Sequence, residues 1–117
     1  MFMQSMQCYE PKGFMGIIMT PKELSIIVAE DASPEIAHWS EFAAEYGGQV
    51  DMGWTAMELQ GTFEFTVVGV MAKLSALLAG ASVSLLAQSS FDTDYIFVKD
   101  AEGAAAALTA GGITVLP

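Results

Sequence analysis

The sequence contains no arginine, one histidine (His38), one cysteine (Cys8) and four lysines (Lys12, Lys22, Lys73, Lys99), against 14 acidic side chains. Each scarcity excludes something. A net charge of −10 repels phosphate backbones and anionic bilayer surfaces, so neither nucleic acid nor a membrane is an expected partner. Without arginine there is no bidentate clamp for a carboxylate or phosphate. An anionic group has to be held by backbone N–H groups or by a lysine. A lone cysteine forms no internal disulfide, which fits a reducing compartment and a cytoplasmic chain. A reactive thiolate at Cys8 needs a cationic neighbour, and Lys12 is the one nearby; a small packed or edge-strand residue is the simpler reading. One histidine and one cysteine do not make a structural zinc set, and no second imidazole is present for a proton relay. His38, beside Trp39 on a predicted helix, reads as a surface or rim residue. No nucleophile elbow surrounds any serine. The expectation is a chain without catalytic residues, metal or cofactor.

The start Met1-Phe2-Met3-Gln4 lacks a positive region followed by an apolar run, so no secretory signal is expected. One long apolar stretch, Phe65 to Ala87, has the length of a membrane span. Lys73 near its middle would cost roughly 3 kcal/mol at a bilayer centre, Gly80 interrupts it, and Ser82 and Ser84 alternate with Val83 and Leu85. It reads as a helix followed by a strand. With 53% apolar residues over 117 positions, the chain has material for one compact core or two very small ones.

The pattern along the chain is mostly clear. Phe2 to Tyr9 alternates weakly and reads as a strand. After the turn Pro11-Lys12-Gly13, Phe14–Met19 and Leu24–Ala29 read as a hairpin joined by Thr20-Pro21-Lys22-Glu23. Ser33 is placed to cap a helix with Pro34 at its first position. Ile36, Trp39, Phe42, Ala43 and Tyr46 follow on one face, and Gly47-Gly48 ends the helix. Trp54–Gln60 reads as a strand whose Trp54, Ala56, Glu58 and Gln60 oppose Thr55, Met57 and Leu59. Gly61–Glu64 reads as a loop and Thr66–Ala79 as a helix closed by Gly80. Val83–Ser89 and Asp94–Val98 are strands around the turn Phe91-Asp92-Thr93. Asp100–Ala110 is an alanine-rich helix stopped by Gly111-Gly112, and Ile113–Leu116 is a last strand. The order strand–helix–strand–strand–helix–strand predicts an α+β, ferredoxin-like βαββαβ fold, a four-stranded antiparallel sheet with two helices on one face.

The chain also repeats itself. A shift of 70 positions lays Ile26-Ile27-Val28-Ala29-Glu30 over Ile96-Phe97-Val98-Lys99-Asp100, and Thr20 over Ser90, and both copies run into a helix that ends in Gly-Gly. This suggests a duplicated unit: residues 1–53 as a shortened N-terminal copy lacking a first helix, and 54–117 as the full one.

Chemistry concentrates in Gln88-Ser89-Ser90-Phe91-Asp92-Thr93-Asp94-Tyr95, which packs hydroxyls, an amide and two carboxylates into one hairpin turn. Such residues also favour turns simply because their side chains bond nearby backbone. As a metal site, Asp92 and Asp94 fall short of a calcium loop, which needs six or more oxygens. As a binding site, they need an opposite pole. The helix start near Phe65-Thr66-Val67-Val68-Gly69 supplies one, because N–H groups there hold a carboxylate without arginine. An amino-acid zwitterion needs both.

Thr20–Ile26, Gly53-Trp54, Gly61–Phe65, Val68-Gly69-Val70, Gly80 and Ser89–Lys99 together resemble small bacterial tandem-ACT proteins, and are similar to the arginine-sensing CASTOR proteins and the regulatory domains of aspartokinases. The resemblance covers nearly the whole chain. It implies a regulatory, non-enzymatic domain that binds a small molecule, usually an amino acid, between two ACT units. It places the pocket at Phe65, Thr66, Val67, Val68 and Gly69, and at Ser90, Phe91, Asp92, Thr93 and Asp94, with Asp94 at the acidic position that contacts ligand in the arginine sensors. The surplus of aspartate makes a neutral or basic amino acid the expected ligand. The shortened N-terminal copy implies that a partner in a homodimer or higher homo-oligomer completes the pocket. The competing reading is a purely structural oligomerisation module with the same fold and no ligand.

Overall fold

A computed structural model of the chain describes residues 5–30, 36–62 and 67–116. Its elements, in chain order, are β1 (Ser5–Tyr9), β2 (Met15–Met19), β3 (Leu24–Val28), α1 (Ile36–Glu45), β4 (Thr55–Thr62), α2 (Val67–Gly80), β5 (Leu85–Ser89), β6 (Asp94–Val98), α3 (Ala101–Ala110) and β7 (Thr114–Val115). They fall into two units, Met1–Glu10 with Gly53–Pro117, and Pro11–Met52. The expected cap at Ser33 and Pro34 lies outside the described residues.

The larger unit is an α+β fold whose sheet departs from the expected one. It has five strands, not four, in the order β5-β6-β4-β1-β7. β1 inserts between β4 and β7, antiparallel to β4 and parallel to β7, so the sheet is mixed. The reason lies in the lengths. β7 has two residues and could satisfy little of the ladder that the eight-residue β4 offers, whereas β1 pairs Ser5–Tyr9 with Thr62–Glu58 and satisfies it. Ser5–Tyr9 therefore join the sheet that also holds β4, β6, β5 and β7, across the expected boundary at 53. The same pairing corrects the expected loop at 61–64. Gly61 and Thr62 continue β4 opposite Met6 and Ser5, while residues 63–66 lie outside the described ones.

Alternation along the strands selects the buried face. Met57 and Leu59 from β4, Ile96 and Val98 from β6, and Cys8 from β1 form one core with Leu74 and Leu78 of α2 and Ala104 and Leu108 of α3. These positions follow the period-2 pattern of half-buried strands and the three-to-four pattern of helices.

All three helices end the same way. A residue with left-handed φ follows the helix, and the next residue's N–H reaches back five positions. Val83 N–H donates to the Leu78 carbonyl and Ile113 N–H to that of Leu108, both at 2.9 Å, and Gly48 N–H donates to Ala43. Gly47 (φ 73°), Gly112 (φ 89°) and Ser82 (φ 59°) take the left-handed position, the Schellman arrangement. Gly80, expected to close α2, is its last helical residue instead. This ending also explains why β5 and β7 start later than the sequence suggests. Val83 and Ile113, both buried, are used as helix-end anchors before either strand begins.

In the smaller unit, β2 and β3 form a two-stranded antiparallel hairpin, followed by α1. Trp39 and Phe42 of α1, and Tyr46 in the turn that follows it, line up on one side. Trp39 and Phe42 meet edge-on with ring centroids 6.5 Å apart, and Phe42 and Tyr46 are 4.8 Å apart. Across the two units the hairpins match pair for pair. Met15↔Val28 to Met19↔Leu24 in one become Leu85↔Val98 to Ser89↔Asp94 in the other, each residue 70 positions on.

No helix of the described residues is long and apolar enough to cross a membrane. The stretch 65–87, where described, divides into α2 and the start of β5.

Candidate functional site

The expected site has two halves. β4 runs antiparallel to β6 with Leu59 opposite Asp94, so Gln60–Thr62, still paired with β1, run past the start of β6 on the side of the β5–β6 turn. The chain re-enters as α2 at Val67. Val67, Val68 and Gly69 form the first turn of α2, and Gly69 is exposed. Phe65 and Thr66 lie outside the described residues. The first turn of α2 carries no acidic residue, so the positive end of the helix has no carboxylate of its own there.

The other half is tightly wired. The turn is closed by Ser90 N–H donating to the Thr93 carbonyl at 2.8 Å, and Ser90 Oγ donates to the same oxygen at 3.3 Å. Ser89 Oγ donates to Asp94 Oδ1 across the β5–β6 pair. Asp94 and Thr93 are half-buried, while Asp92 and Phe91 are exposed. The Asp94 carboxylate is thus oriented from within its own hairpin, with one oxygen occupied by Ser89. Asp92 projects from the turn. The equivalent turn of the smaller unit uses the same backbone bond, Thr20 N–H to the Glu23 carbonyl at 2.9 Å, and Thr20 Oγ1 accepts from Lys22 and Glu23 N–H. The closure is shared by both turns; the aspartates and the phenylalanine belong to one.

Lys99 sits at the opposite end of β6, its Nζ 5.2 Å from the centroid of the Trp54 ring, a cation–π distance. It lies at the far end of the strand from the aspartates.

Pairing also assembles a row that sequence spacing alone does not show. Tyr9, Glu58, Tyr95 and Gln88 stand opposite one another across β1, β4, β6 and β5. They alternate with the core residues and so occupy the sheet face away from α2 and α3. All four are half-buried. Gln88 Oε1 is buried and has no hydrogen-bond donor among the described residues. The alternation within β4 marks Glu58 as outward-facing, but only the register across four strands joins it to the others.

Cys8 is buried in the core, and burial pushes its thiol from 9.0 up to about 11. It is a protonated packing group, which matches the simpler reading of that residue.

This fold and the matched sequence define a class. Residues 49–114 match the model of the ACT domain, and the chain belongs to the ACT domain family. Membership points to a regulatory, ligand-binding role. Among solved structures, the chain is similar to protein Atu0741 from Agobacterium tumefaciens, with a TM-score of 0.70 and 22% identity over 97% of this chain and 92% of that one. It is also similar to VC0802 from Vibrio cholerae, a protein of unknown function described as a possible transport protein, with a TM-score of 0.54 and 20% identity over 93% and 88%. These likenesses concern the fold. No curated protein matches the chain.

Proposed function

We propose that this chain is a non-catalytic sensor that binds a small molecule, a neutral or basic amino acid, where its ACT unit meets another ACT unit. One observation carries the reading. The end of β4, separated from α2 by residues 63–66, and the Ser90–Thr93 turn lie at the same end of one sheet, and on this proposal the donor-rich start of α2 and the carboxylates of Asp92 and Asp94 face one ligand. A zwitterion's carboxylate suits the N–H groups of Val67–Gly69, and its ammonium or cationic side chain suits the aspartates. An acidic side chain would face like charge in a chain without arginine, which lowers affinity.

Calorimetric titration with arginine, lysine, a neutral amino acid and glutamate tests this. Asp92→Asn and Asp94→Asn each keep shape and remove one charge, and asparagine at 94 still accepts from Ser89. Losing a charge-assisted hydrogen bond should cost about 1.5–3 kcal/mol, or roughly ten- to a hundredfold in affinity. Glutamate as the tightest ligand, or both variants binding as well as the wild type, contradicts the reading. A purely structural role has one observation in its favour, the exposed apolar surface of Pro11–Met52.

A further inference from the structure

Pro11–Met52 covers little of its own apolar surface. Among the described residues, nine of the twelve exposed large hydrophobic side chains fall in this unit, so the exposure is concentrated rather than scattered. On the β2–β3 hairpin, the pairs Met15↔Val28, Ile17↔Ile26 and Met19↔Leu24 place apolar side chains on one face. Met15, Ile17, Met19 and Leu24 are 49%, 57%, 76% and 54% exposed. A two-stranded hairpin with an open apolar face is marginal in water.

The matching hairpin shows what such a face packs against. Seventy positions on, the same pairs are Leu85↔Val98, Ala87↔Ile96 and Ser89↔Asp94. Ile96 and Val98 there have no exposed surface and share a core with α2 and α3, and Leu85 packs against that core. In that unit one helix precedes the hairpin and one follows it. In Pro11–Met52 only residues 11–14 precede β2, and α1 is the one helix among the described residues. Yet α1 keeps its own aromatic ridge open, with Phe42 51% and Tyr46 72% exposed. An open helix ridge and an open sheet face thus stand in the same chain, and neither covers the other.

Charge says which occupant fits. The whole chain carries −10, which repels a second copy almost everywhere. Pro11–Val28 is a net-positive stretch within it, with Lys12 and Lys22 against Glu23. α1 carries Glu41 and Glu45 and no lysine. The helix of one copy and the hairpin of another therefore meet with opposite charge around apolar surfaces.

We propose that two copies of this chain form a reciprocal dimer, in which α1 of each, through Phe42 and Tyr46, covers the Met15–Ile17–Met19–Leu24 face of the other. Each copy contributes both surfaces, as a two-fold interface requires. The pairing is independent of the ligand reading, since it uses none of Val67–Gly69 or Ser90–Asp94.

Sedimentation equilibrium of the full chain tests it, with Ile17→Glu, Tyr46→Glu and the control Leu86→Thr, which alters an exposed apolar side chain of the other unit outside the candidate pocket. The wild type and Leu86→Thr should sediment at twice the 12.4 kDa chain mass. Ile17→Glu and Tyr46→Glu should each weaken the dimer at least tenfold, with circular dichroism unchanged. Ile17→Thr, which keeps strand propensity, guards against misfolding and should weaken it in the same direction. A monomeric wild type, a dimer that survives both glutamate variants, or one that only a single variant breaks overturns the proposal.

Discussion

Cys8 lies in the sheet between Leu59 and Val115 with no exposed surface. Because burial raises its thiol to about 11 from 9.0, the sign of its pH effect is fixed. The folded state holds the proton more tightly than the unfolded one, so the contribution is complete below 9.0 and is lost as pH rises toward 11. Over that window stability should fall by up to about 1.4 kcal/mol per pH unit from this group. Urea titrations of wild type and Cys8→Ala at pH 8, 9, 10 and 11 check it, and an equally steep fall in the alanine variant would refute the assignment to Cys8. Ser82 makes a second residue-scale case. It holds φ 59°, where a side chain costs roughly 1 kcal/mol and glycine does not. Ser82→Gly should therefore raise the thermal midpoint, by about 0.5–1 kcal/mol in stability. An unchanged or lower midpoint counts against the account of the α2 ending.

At the scale of elements, α3 carries its signals at both ends. Asp100 caps it by accepting from Gly103 N–H at 2.8 Å, and Asp100→Ala should cost about 1 kcal/mol by thermal unfolding. A loss below about 0.3 kcal/mol would show the cap to be idle. At the other end, Gly111 does more than stop the helix. A methyl group there would come within 2.5 Å of Leu77 Cδ1, so the small residue lets α2 and α3 approach. These elements are legible in the sequence because their signals are local. Asp94–Val98 reads as a strand from its own alternation, and both hairpins from their turn residues. β1 reads as a strand, but the sequence groups it with residues 1–53, because its partner Glu58–Thr62 lies about 50 residues away and no local pattern records that pairing. The site divides along the same line. Asp92 and Asp94 stand out as a polar turn, whereas the Ser89–Asp94 bond and the Tyr9–Glu58–Tyr95–Gln88 row arise only from register.

For the whole molecule, the proposed site lies on an ACT unit in a chain of charge −10 without arginine, a balance that disfavours acidic ligands. Membership of the family makes ligand binding the central claim, and the amino-acid class is the proposal that sharpens it. The measurement that bears on it most directly is a thermal-unfolding screen of the full chain against each of the twenty amino acids. A ligand at 100 times its Kd should stabilise by about 2.7 kcal/mol, a midpoint shift on the order of 10 °C for a chain of this size. The account predicts such a shift with one or more neutral or basic amino acids and none with aspartate or glutamate. A shift with the acidic pair alone, or no shift with any of the twenty, would contradict it.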